Sequence, residues 1–240
     1  MDAPRYGTLN QAYVASWFER DEPGSPMWAL NLMKYRAVAD YADGRPTTLT
    51  GEEADDRYTP LGPLAEVGAR IVLAAPVVHQ LVGDATTWDR VAIAQYPYRT
   101  AIAEMNMRED FQELHAHKEA GMASTIVMGT FPVDGEPVPE QVSGAGSDLL
   151  LLLEVVADAS APDASSGVAS TPIGRFDVEG CMIGDGRRFA EARYDLISRP
   201  TADELIARGT THDEANYVVI VDPMIDAVAE SLSEPTRVLL

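Results

Sequence analysis

Three charged residues near the end of the chain have the spacing of a polar site. In the segment RFAEARYDLI, Glu191, Arg193 and Asp195 fall on one face of a predicted strand, because side chains two positions apart point the same way. An arginine in such a set could bind a carboxylate or an enolate, and a neighbouring acid could transfer a proton. Unpaired buried charges are costly, so we expect these side chains to pair with one another and with Arg90. The same charges could instead form a structural network of ion pairs or face solvent on an open sheet.

The alternation along this strand also predicts which side of the sheet the charged side chains face. We expect helices to cover its apolar face, so that the charged face points into the interior of a barrel. The candidate catalytic residues are then His117, Arg193, Asp195 and Glu191. The candidate ligand-binding residues are Asn31, Tyr35, His79, Trp88, Arg90, Tyr96 and Phe189.

Two histidines in the segment ELHAHKEAG are further candidates for proton transfer. A spacing of two turns His115 and His117 about 200 degrees apart on a helix, so they cannot bind one metal ion on a continuing helix, and no metal site is predicted. His115 could pair with Glu119 as an ordinary contact on the helix surface. The alternative is a catalytic role for one of the two histidines, and His117 is favoured because it lies where the resemblance to a known family, given below, is closest. His79 reads either as a structural histidine or, inside a barrel, as a base with an unperturbed pKa of ~6.5.

Motifs and charge exclude several classes of function. The sequence contains no GxGxxG after a strand, no GxxxxGK[ST], no GxSxG and no HExxH, so we predict no cofactor and no nucleotide chemistry. The formal net charge of −20 argues against nucleic acid and anionic membranes as partners. The single Cys181 permits no internal disulfide. The longest apolar run, DLLLLLEVVA, is shorter than the roughly 20 residues of a membrane span, and no export signal precedes it, so a cytoplasmic location is expected.

Strand and helix patterns in residues 1–131 occur in the order β, α, β, β, α, β after a leading helix. The strands are MWALNLMKY, RIVLAAPVVHQLVGD, WDRVAIAQYP and STIVMGTFP, and the second and third form a hairpin. This order is the ferredoxin-like motif. Residues 132–147 are rich in Pro, Gly and Ser and predict a linker.

Residues 148–240 start the same order again, with a loop of small residues where the first helix would stand. The stretch VGDATTWDRVAIAQYPYRTAI from Val82 aligns without a gap with the stretch from Ile183, at an offset of 101, so that Gly83 matches Gly184. We therefore predict an α+β fold with two ferredoxin-like βαββαβ halves in one chain.

Residues 8–131 resemble the bacterial domain of unknown function family 1330. The resemblance is carried by MWALNLMKYR, the GD turn, WDRVAIAQYP and DFQELHAHKEAGMASTIVMGT. That family belongs to the dimeric α+β barrel superfamily, in which two ferredoxin-like units pair their sheets. The resemblance implies that a second sheet covers the bare face of the first, supplied by the second half of this chain or by another copy in a homodimer. It also implies that small ligands, haem or reactive aromatic intermediates bind between the sheets.

Taken together, these patterns predict an α+β barrel protein that binds a small molecule in the barrel cavity. The predicted activity is that of a cofactor-independent isomerase, cyclase, lyase or monooxygenase acting on a hydrophobic or aromatic carbonyl compound. The alternative is a noncatalytic metabolite-binding protein or a structural subunit. A cavity holding a titratable residue of shifted pKa would favour the enzyme, whereas a filled apolar barrel would favour the structural protein.

Overall fold

The first half of the chain folds into four long strands with helices on one face. A computed structural model describes residues 4–20, 24–133 and 147–233. The strands of this half are β1 (Thr8–Leu9), β2 (Met27–Tyr35), β3 (Arg70–Gly83), β4 (Arg90–Tyr96) and β5 (Met122–Pro132). Its helices are α1 (Gln11–Ser16), α2 (Gly51–Arg57), α3 (Leu61–Glu66), α4 (Ala101–Asn106) and α5 (Glu109–Gly121), and a single 3-10 turn (Trp17–Glu19) follows α1.

The second half has the same strand order with fewer helices. Its strands are β6 (Leu149–Val156), β7 (Ser170–Gly184), β8 (Glu191–Ser198), β9 (Thr211–His212), β10 (Tyr217–Val221) and β11 (Ile225–Asp226). Its helices are α6 (Arg199–Ala207) and α7 (Val228–Ser233). Residues 157–169 are described throughout and contain only turns and irregular backbone, as the small-residue composition of this loop predicted.

Eight long strands close into one antiparallel barrel. Around it the order is β7-β5-β2-β4-β3-β10-β6-β8, and pairing of β7 with β8 closes the ring. Within each half the strands lie in the ferredoxin-like order of fourth, first, third and second, as β5-β2-β4-β3 and β10-β6-β8-β7. The halves meet along two seams, β3 with β10 and β5 with β7. The predicted intrachain α+β barrel is therefore confirmed, while residues 134–146 of the predicted linker lie outside the described residues.

Side chains from all eight strands fill the interior of this barrel. One buried cluster includes Trp28 and Leu30 of β2, Ile93 of β4, Leu153 of β6 and Tyr194 of β8, all at most 2% exposed. Residues from so many strands can meet only inside the ring, because alternate side chains of a barrel strand point inward. Apolar burial of this extent is the main stabilising contribution to the fold. The predicted ligand cavity between the two sheets is thus occupied by the protein's own core.

The ends of the barrel are covered as well. Trp88 and Phe189 precede β4 and β8, and both pack against Tyr217, with ring centroids 5.5 Å and 6.1 Å away. Val228 and Ala229 of α7 belong to the same buried cluster and contact β3 and β7. Trp88 and Phe189, both predicted to bind a ligand, therefore serve as core residues near one end of the barrel.

The orientation predicted for β8 is reversed. Ala192 and Tyr194 face the barrel interior, whereas Arg193 and the acids on either side of it face outward. The prediction failed because both faces of this strand are buried: one face is in the dry core and the other lies beneath the loop of residues 157–169. Apolar side chains take the core, where charges would find no polar partner. The same reasoning places Asn31, Tyr35, Arg90 and Tyr96 on the outer face of the first half.

Arg193 holds the loop of residues 157–169 against the sheet. Its side chain is 2% exposed, and it donates hydrogen bonds to the carbonyl oxygens of Ala159 (2.7 Å) and Ala161 (2.8 Å) and to Asp163 Oδ1 (2.8 Å). It also contacts Glu191. This is the structural ion-pair network that the sequence left open, and it replaces the missing helix.

Two further acids complete this outer network. Glu154 accepts the backbone N–H of Ala164 at 2.8 Å and lies 3.8 Å from Arg193, and its burial raises the pKa of its carboxyl group. Burial likewise raises the pKa of Asp195, whose side chain forms a hydrogen bond with Ser170. The catalytic roles predicted for Glu191, Arg193 and Asp195 stay predictions, and none of the three lines the pocket described below.

Within the described part of the chain, no helix is long and apolar enough to cross a bilayer.

Candidate functional site

A cavity of about 90 Å³ lies outside the barrel, between the sheet of the first half and the helices that cover it. Its floor is the outer face of β2, β4 and β5, including Asn31 and Val127. Its roof is formed by α4 and α5, and one side is closed by the 3-10 turn through Trp17 and by β7 through Met182. Most of the lining is apolar or aromatic, so the few polar side chains determine what the pocket can do.

Helix α5 contributes three lining residues from one face. Phe111, His115 and Lys118 are spaced at i, i+4 and i+7, which places them in one row along a helix. Glu109 and Asp110 in the first turn complement the positive end of the helix dipole. The predicted pair of His115 with Glu119 does not form, because Glu119 binds Arg5 at 3.3 Å instead. His115 is therefore turned to the pocket.

The imidazole of His115 is neutral at physiological pH. Its Nε2 lies 3.0 Å from the Tyr6 hydroxyl, and its ring stacks on Phe111 with centroids 5.3 Å apart. Burial, with the charge of Lys118 adding to it, lowers the pKa of His115 from 6.5 to about 4. A neutral imidazole in an apolar pocket retains one unprotonated nitrogen that can accept a proton.

The ammonium of Lys118 is half-buried and has few partners. Its one hydrogen bond is a long one of 3.5 Å to Asn31 Oδ1, and among the residues that the structure describes it forms no ion pair. By contrast, the two arginines in the buried core, Arg99 and Arg193, both have carboxylate partners. Burial lowers the pKa of Lys118, and the charge of Asp55 opposes this. The pocket thus contains a cation that has no ion-pair partner among the described residues.

Behind Lys118 lies a second polar group centred on Asp55. This buried carboxylate accepts hydrogen bonds from the Tyr35 hydroxyl (2.6 Å) and from Arg90 Nη1 (3.1 Å). Arg90 also pairs with Glu52 and Asp56 of the same helix, so it does not reach the acids of β8 as predicted. Burial raises the pKa of Asp55, and the charge of Lys118 is the leading influence that lowers it.

Two tyrosines of the pocket could donate hydrogen bonds to a ligand. Within the described chain the hydroxyl of Tyr58 has no hydrogen-bond partner, and its ring lies 5.3 Å beneath the Lys118 ammonium and 6.0 Å from the His115 ring. Burial raises its pKa well above the ordinary value, so it stays protonated. The Tyr96 hydroxyl makes only a weak contact of 3.9 Å with the sulfur of Met105.

The N-terminal helix is fastened over the pocket by Glu179. This carboxylate accepts hydrogen bonds from the Tyr13 hydroxyl (3.1 Å), Arg20 (3.2 Å) and Arg99 Nε (2.9 Å). The Tyr13 ring packs directly on Gly180, where a side chain would contact it at 3.1 Å. The anchored segment positions Val14 and Trp17 in the pocket wall.

Apart from the core residues Trp88 and Phe189 and the three charged residues of β8, the sequence-predicted site residues lie in several different places. Asn31 and Tyr96 line the pocket, and Tyr35 and Arg90 support it through Asp55. His79 lies outside the barrel, where its Nε2 is 3.3 Å from Thr210 Oγ1. His117 faces away from the pocket, and its Nδ1 is 2.7 Å from the Tyr41 hydroxyl. The residues that the sequence reasoning missed are Tyr6, Tyr58, His115 and Lys118, of which the last two share the α5 spacing as a detectable signal.

The low pKa of His115 predicts acid sensitivity of the fold. The folded protein keeps this imidazole neutral down to about pH 4, whereas the unfolded chain protonates it near pH 6.5. The unfolded state binds more protons in this interval, so the free energy of unfolding falls as the pH drops from about 6.5 to about 4. In a His115→Gln variant, the free energy of unfolding should fall by roughly 2 kcal/mol less over the same pH interval. Urea unfolding of both proteins at pH 7.5 and 4.5 measures the difference, and equal falls in both would contradict the assignment.

Comparisons with known proteins assign no family. No family model matches the chain, and no curated protein matches it. A protein of unknown function from Rhodopseudomonas palustris, RPA0582, is 26% identical over 55% of this chain and 98% of its own, with a TM-score of 0.47. The methylated form of RPA0582 is 29% identical over 57% and 100%, with a TM-score of 0.48. A chlorite dismutase variant from Candidatus Nitrospira defluvii is 10% identical over 92% and 99%, with a TM-score of 0.41.

These TM-scores are too low to transfer an activity or a ligand to this chain. The resemblance of residues 8–131 to domain of unknown function family 1330 therefore stays a prediction. What can be argued about function comes from the pocket itself.

Proposed function

We propose that the pocket binds a small hydrophobic carbonyl compound and catalyses proton transfer at the carbon next to its carbonyl group, without a cofactor. One observation carries the proposal: the neutral imidazole of His115 and the ammonium of Lys118, which forms no ion pair with the residues that the structure describes, face the same otherwise apolar and aromatic cavity. A base and an oxyanion stabiliser in a dry, shaped site are the two groups that enolisation requires.

Binding would place the apolar part of the compound against the sheet and its oxygen toward Lys118. The pocket offers apolar contact area from Val127, Met182 and Phe111, which favours burial of the hydrocarbon part of the compound. The long contact from Lys118 to Asn31 leaves the ammonium free to turn toward a carbonyl oxygen. Tyr58 could donate a second hydrogen bond to the same oxygen, since its hydroxyl has no other partner among the described residues.

The proposed chemical step is a proton abstraction. The unprotonated nitrogen of His115 takes a proton from the carbon beside the carbonyl group, and the electron pair of that C–H bond forms a carbon–carbon double bond. The carbonyl π electrons move to oxygen and give an enolate, which Lys118 and Tyr58 stabilise. As negative charge develops near Lys118, the imidazolium of His115 becomes less costly, which offsets the low basicity of the free pocket. Return of the proton to carbon completes exchange or isomerisation.

The size of the cavity restricts the compound. At about 90 Å³ it is smaller than the ~150 Å³ cavity that accommodates benzene in a well-studied protein. A short aliphatic carbonyl compound therefore fits more readily than an aromatic ring, which would require side chains to move. Of the carbonyl compounds suggested by the sequence, the smaller hydrophobic ones are favoured, and the proposed site is the outer pocket, not the interior of the barrel.

Hydrogen–deuterium exchange tests the proposal directly. We expect the protein to accelerate exchange of the C3 protons of 2-butanone in D2O, followed by NMR, beyond the rate given by free imidazole at the same concentration. Addition of 2-butanone should also raise the melting temperature. Binding without exchange would support the noncatalytic metabolite-binding alternative, and neither binding nor exchange would sink the proposal.

A further inference from the structure

We infer that the natural ligand of this pocket is a small 2-oxo monocarboxylate, whose carboxylate and 2-oxo oxygens both bind Lys118. The inference rests on the proposed function of the same pocket and names its substrate class. The juxtaposition that carries it is a half-buried ammonium without an ion pair among the described residues, inside a small apolar cavity.

The hydrogen-bonding capacity of Lys118 sets how many ligand atoms it can take. An ammonium group carries three N–H donors. One of them points at Asn31 Oδ1, 3.5 Å away, and the amide of Asn31 is oriented for this because its Nδ2 donates to the carbonyl oxygen of Ala29 at 2.9 Å. Two donors remain for a ligand. A 2-oxo acid presents two oxygens on adjacent carbons, and both can approach one ammonium.

The acid whose charge acts on this ammonium is already engaged. Asp55 influences the charge of Lys118, but its carboxylate is held by the Tyr35 hydroxyl at 2.6 Å and by Arg90 at 3.1 Å. Within the described chain, Lys118 and Asp55 form no ion pair with each other. Desolvating a cation without a partner is costly, so an anionic ligand that completes the pair should bind more tightly than a neutral one of the same shape.

The charges around the cavity also determine which ligands are rejected. Of the described residues that line it, Lys118 is the one that carries a formal charge, since His115 is neutral. A second carboxylate on the ligand would face no second cation, and an amine would face the ammonium itself. The remaining lining, including Phe111, Val127 and Met182, requires the rest of the ligand to be apolar. A short aliphatic chain on a single 2-oxo carboxylate satisfies all these conditions.

Three probes with four carbon atoms each separate the contributions of the two oxygen groups. We would titrate the full-length protein with 2-oxobutanoate, butanoate and 2-butanone by ligand-observed NMR at fixed ionic strength. The expected order of affinity is 2-oxobutanoate, then butanoate, then 2-butanone. Lys118→Met keeps the length of the side chain and removes its charge, so it should weaken 2-oxobutanoate by about 10- to 100-fold. It should weaken 2-butanone by a smaller factor, because the neutral ketone loses one hydrogen bond and no ion pair.

The chain offers a matched control in Lys34, which is its other lysine and pairs with Asp89 at 2.9 Å. Lys34→Met removes the same charge from the whole protein and should leave all three affinities unchanged. If Lys118→Met does not fold, Lys118→Gln provides the same comparison with a polar side chain. Equal binding of 2-oxobutanoate and 2-butanone, or undiminished binding of 2-oxobutanoate to the Lys118 variant, would overturn the inference.

The outcomes for this ligand class and for the proposed function can be told apart. If the protein accelerates exchange of 2-butanone but shows no preference for the carboxylates, the substrate class is wrong and the proposed function stands. If none of the three probes binds and 2-butanone does not exchange, both fail together.

Discussion

Replacing His115 with glutamine is expected to slow protein-catalysed deuterium exchange of 2-butanone by about 100- to 10,000-fold, the usual contribution of a general base. Glutamine can retain a hydrogen bond with Tyr6, which lies 3.0 Å from the imidazole Nε2, so the pocket should keep its shape. Glutamine has no nitrogen that accepts a proton near neutral pH, however, and the enolisation step would lose its base. The measurement is the NMR exchange rate at saturating 2-butanone for the two proteins.

The matched comparison is a His117→Gln variant. His117 lies on the other side of the same helix and contacts Tyr41 at 2.7 Å, outside the pocket. The pocket geometry predicts that this variant exchanges 2-butanone at the unaltered rate, whereas the family resemblance of residues 8–131 favoured His117 as the catalytic residue. A slow His117 variant beside a fast His115 variant would therefore restore the sequence-based assignment and reject the one based on the pocket.

Replacing Arg193 with alanine is expected to lower the free energy of unfolding by about 3–5 kcal/mol, the cost of removing one partner of a buried ion pair. The substitution leaves Glu154, which is 1% exposed, without its cation, and it leaves Glu191 with Arg175 as its remaining cation. It also deprives the carbonyl oxygens of Ala159 and Ala161 of their donor. Urea unfolding at pH 7 measures the loss, and the loop of residues 157–169 should become accessible to proteases.

An exposed arginine on a nearby helix provides the reference. Arg208 pairs with Glu204 at 2.8 Å, and both side chains are about half exposed. Arg208→Ala should therefore cost no more than about 0.5 kcal/mol. If the two variants lost similar amounts of stability, the outer network would contribute little and the loop would be held by its other contacts.

The fold was predictable because its signals are local. The element order follows from strands of alternating or continuous apolar residues, from the GD turns and from the small-residue loop of 157–169. That order in each half is typical of the ferredoxin-like sheet. The direction of β8 was not predictable in the same way. A period of two divides Tyr194 from Arg193, but it does not state which face meets the core when both faces are covered. The partners of Arg193 are backbone carbonyls of an irregular loop, and no pattern reveals these.

The pocket was predictable in part. Strand alternation places Asn31 and Tyr96 on one face, but that face was expected to line the barrel interior and instead lies beneath α4 and α5. The row from Phe111 through His115 to Lys118 is visible as helical spacing, although the opposed direction of His117 makes either histidine plausible without knowing where the sheet lies. Tyr6 and Tyr58 come from segments without periodicity, and only the folded chain brings them to the pocket.

Because one chain closes the whole barrel, the two halves are encoded separately and can accept different substitutions at matching positions. At matching register positions Asn31 faces Ala92 in the first half, while Glu154 faces Arg193 in the second. In a homodimer, one codon change would alter both sites at once, and a pocket could not be filled on one side and kept on the other. Here the second position could acquire a bulky guanidinium and an acid that stabilise the fold. The first could keep the small side chains that leave room for the proposed ligand, so one half can stabilise the fold while the other carries the proposed activity.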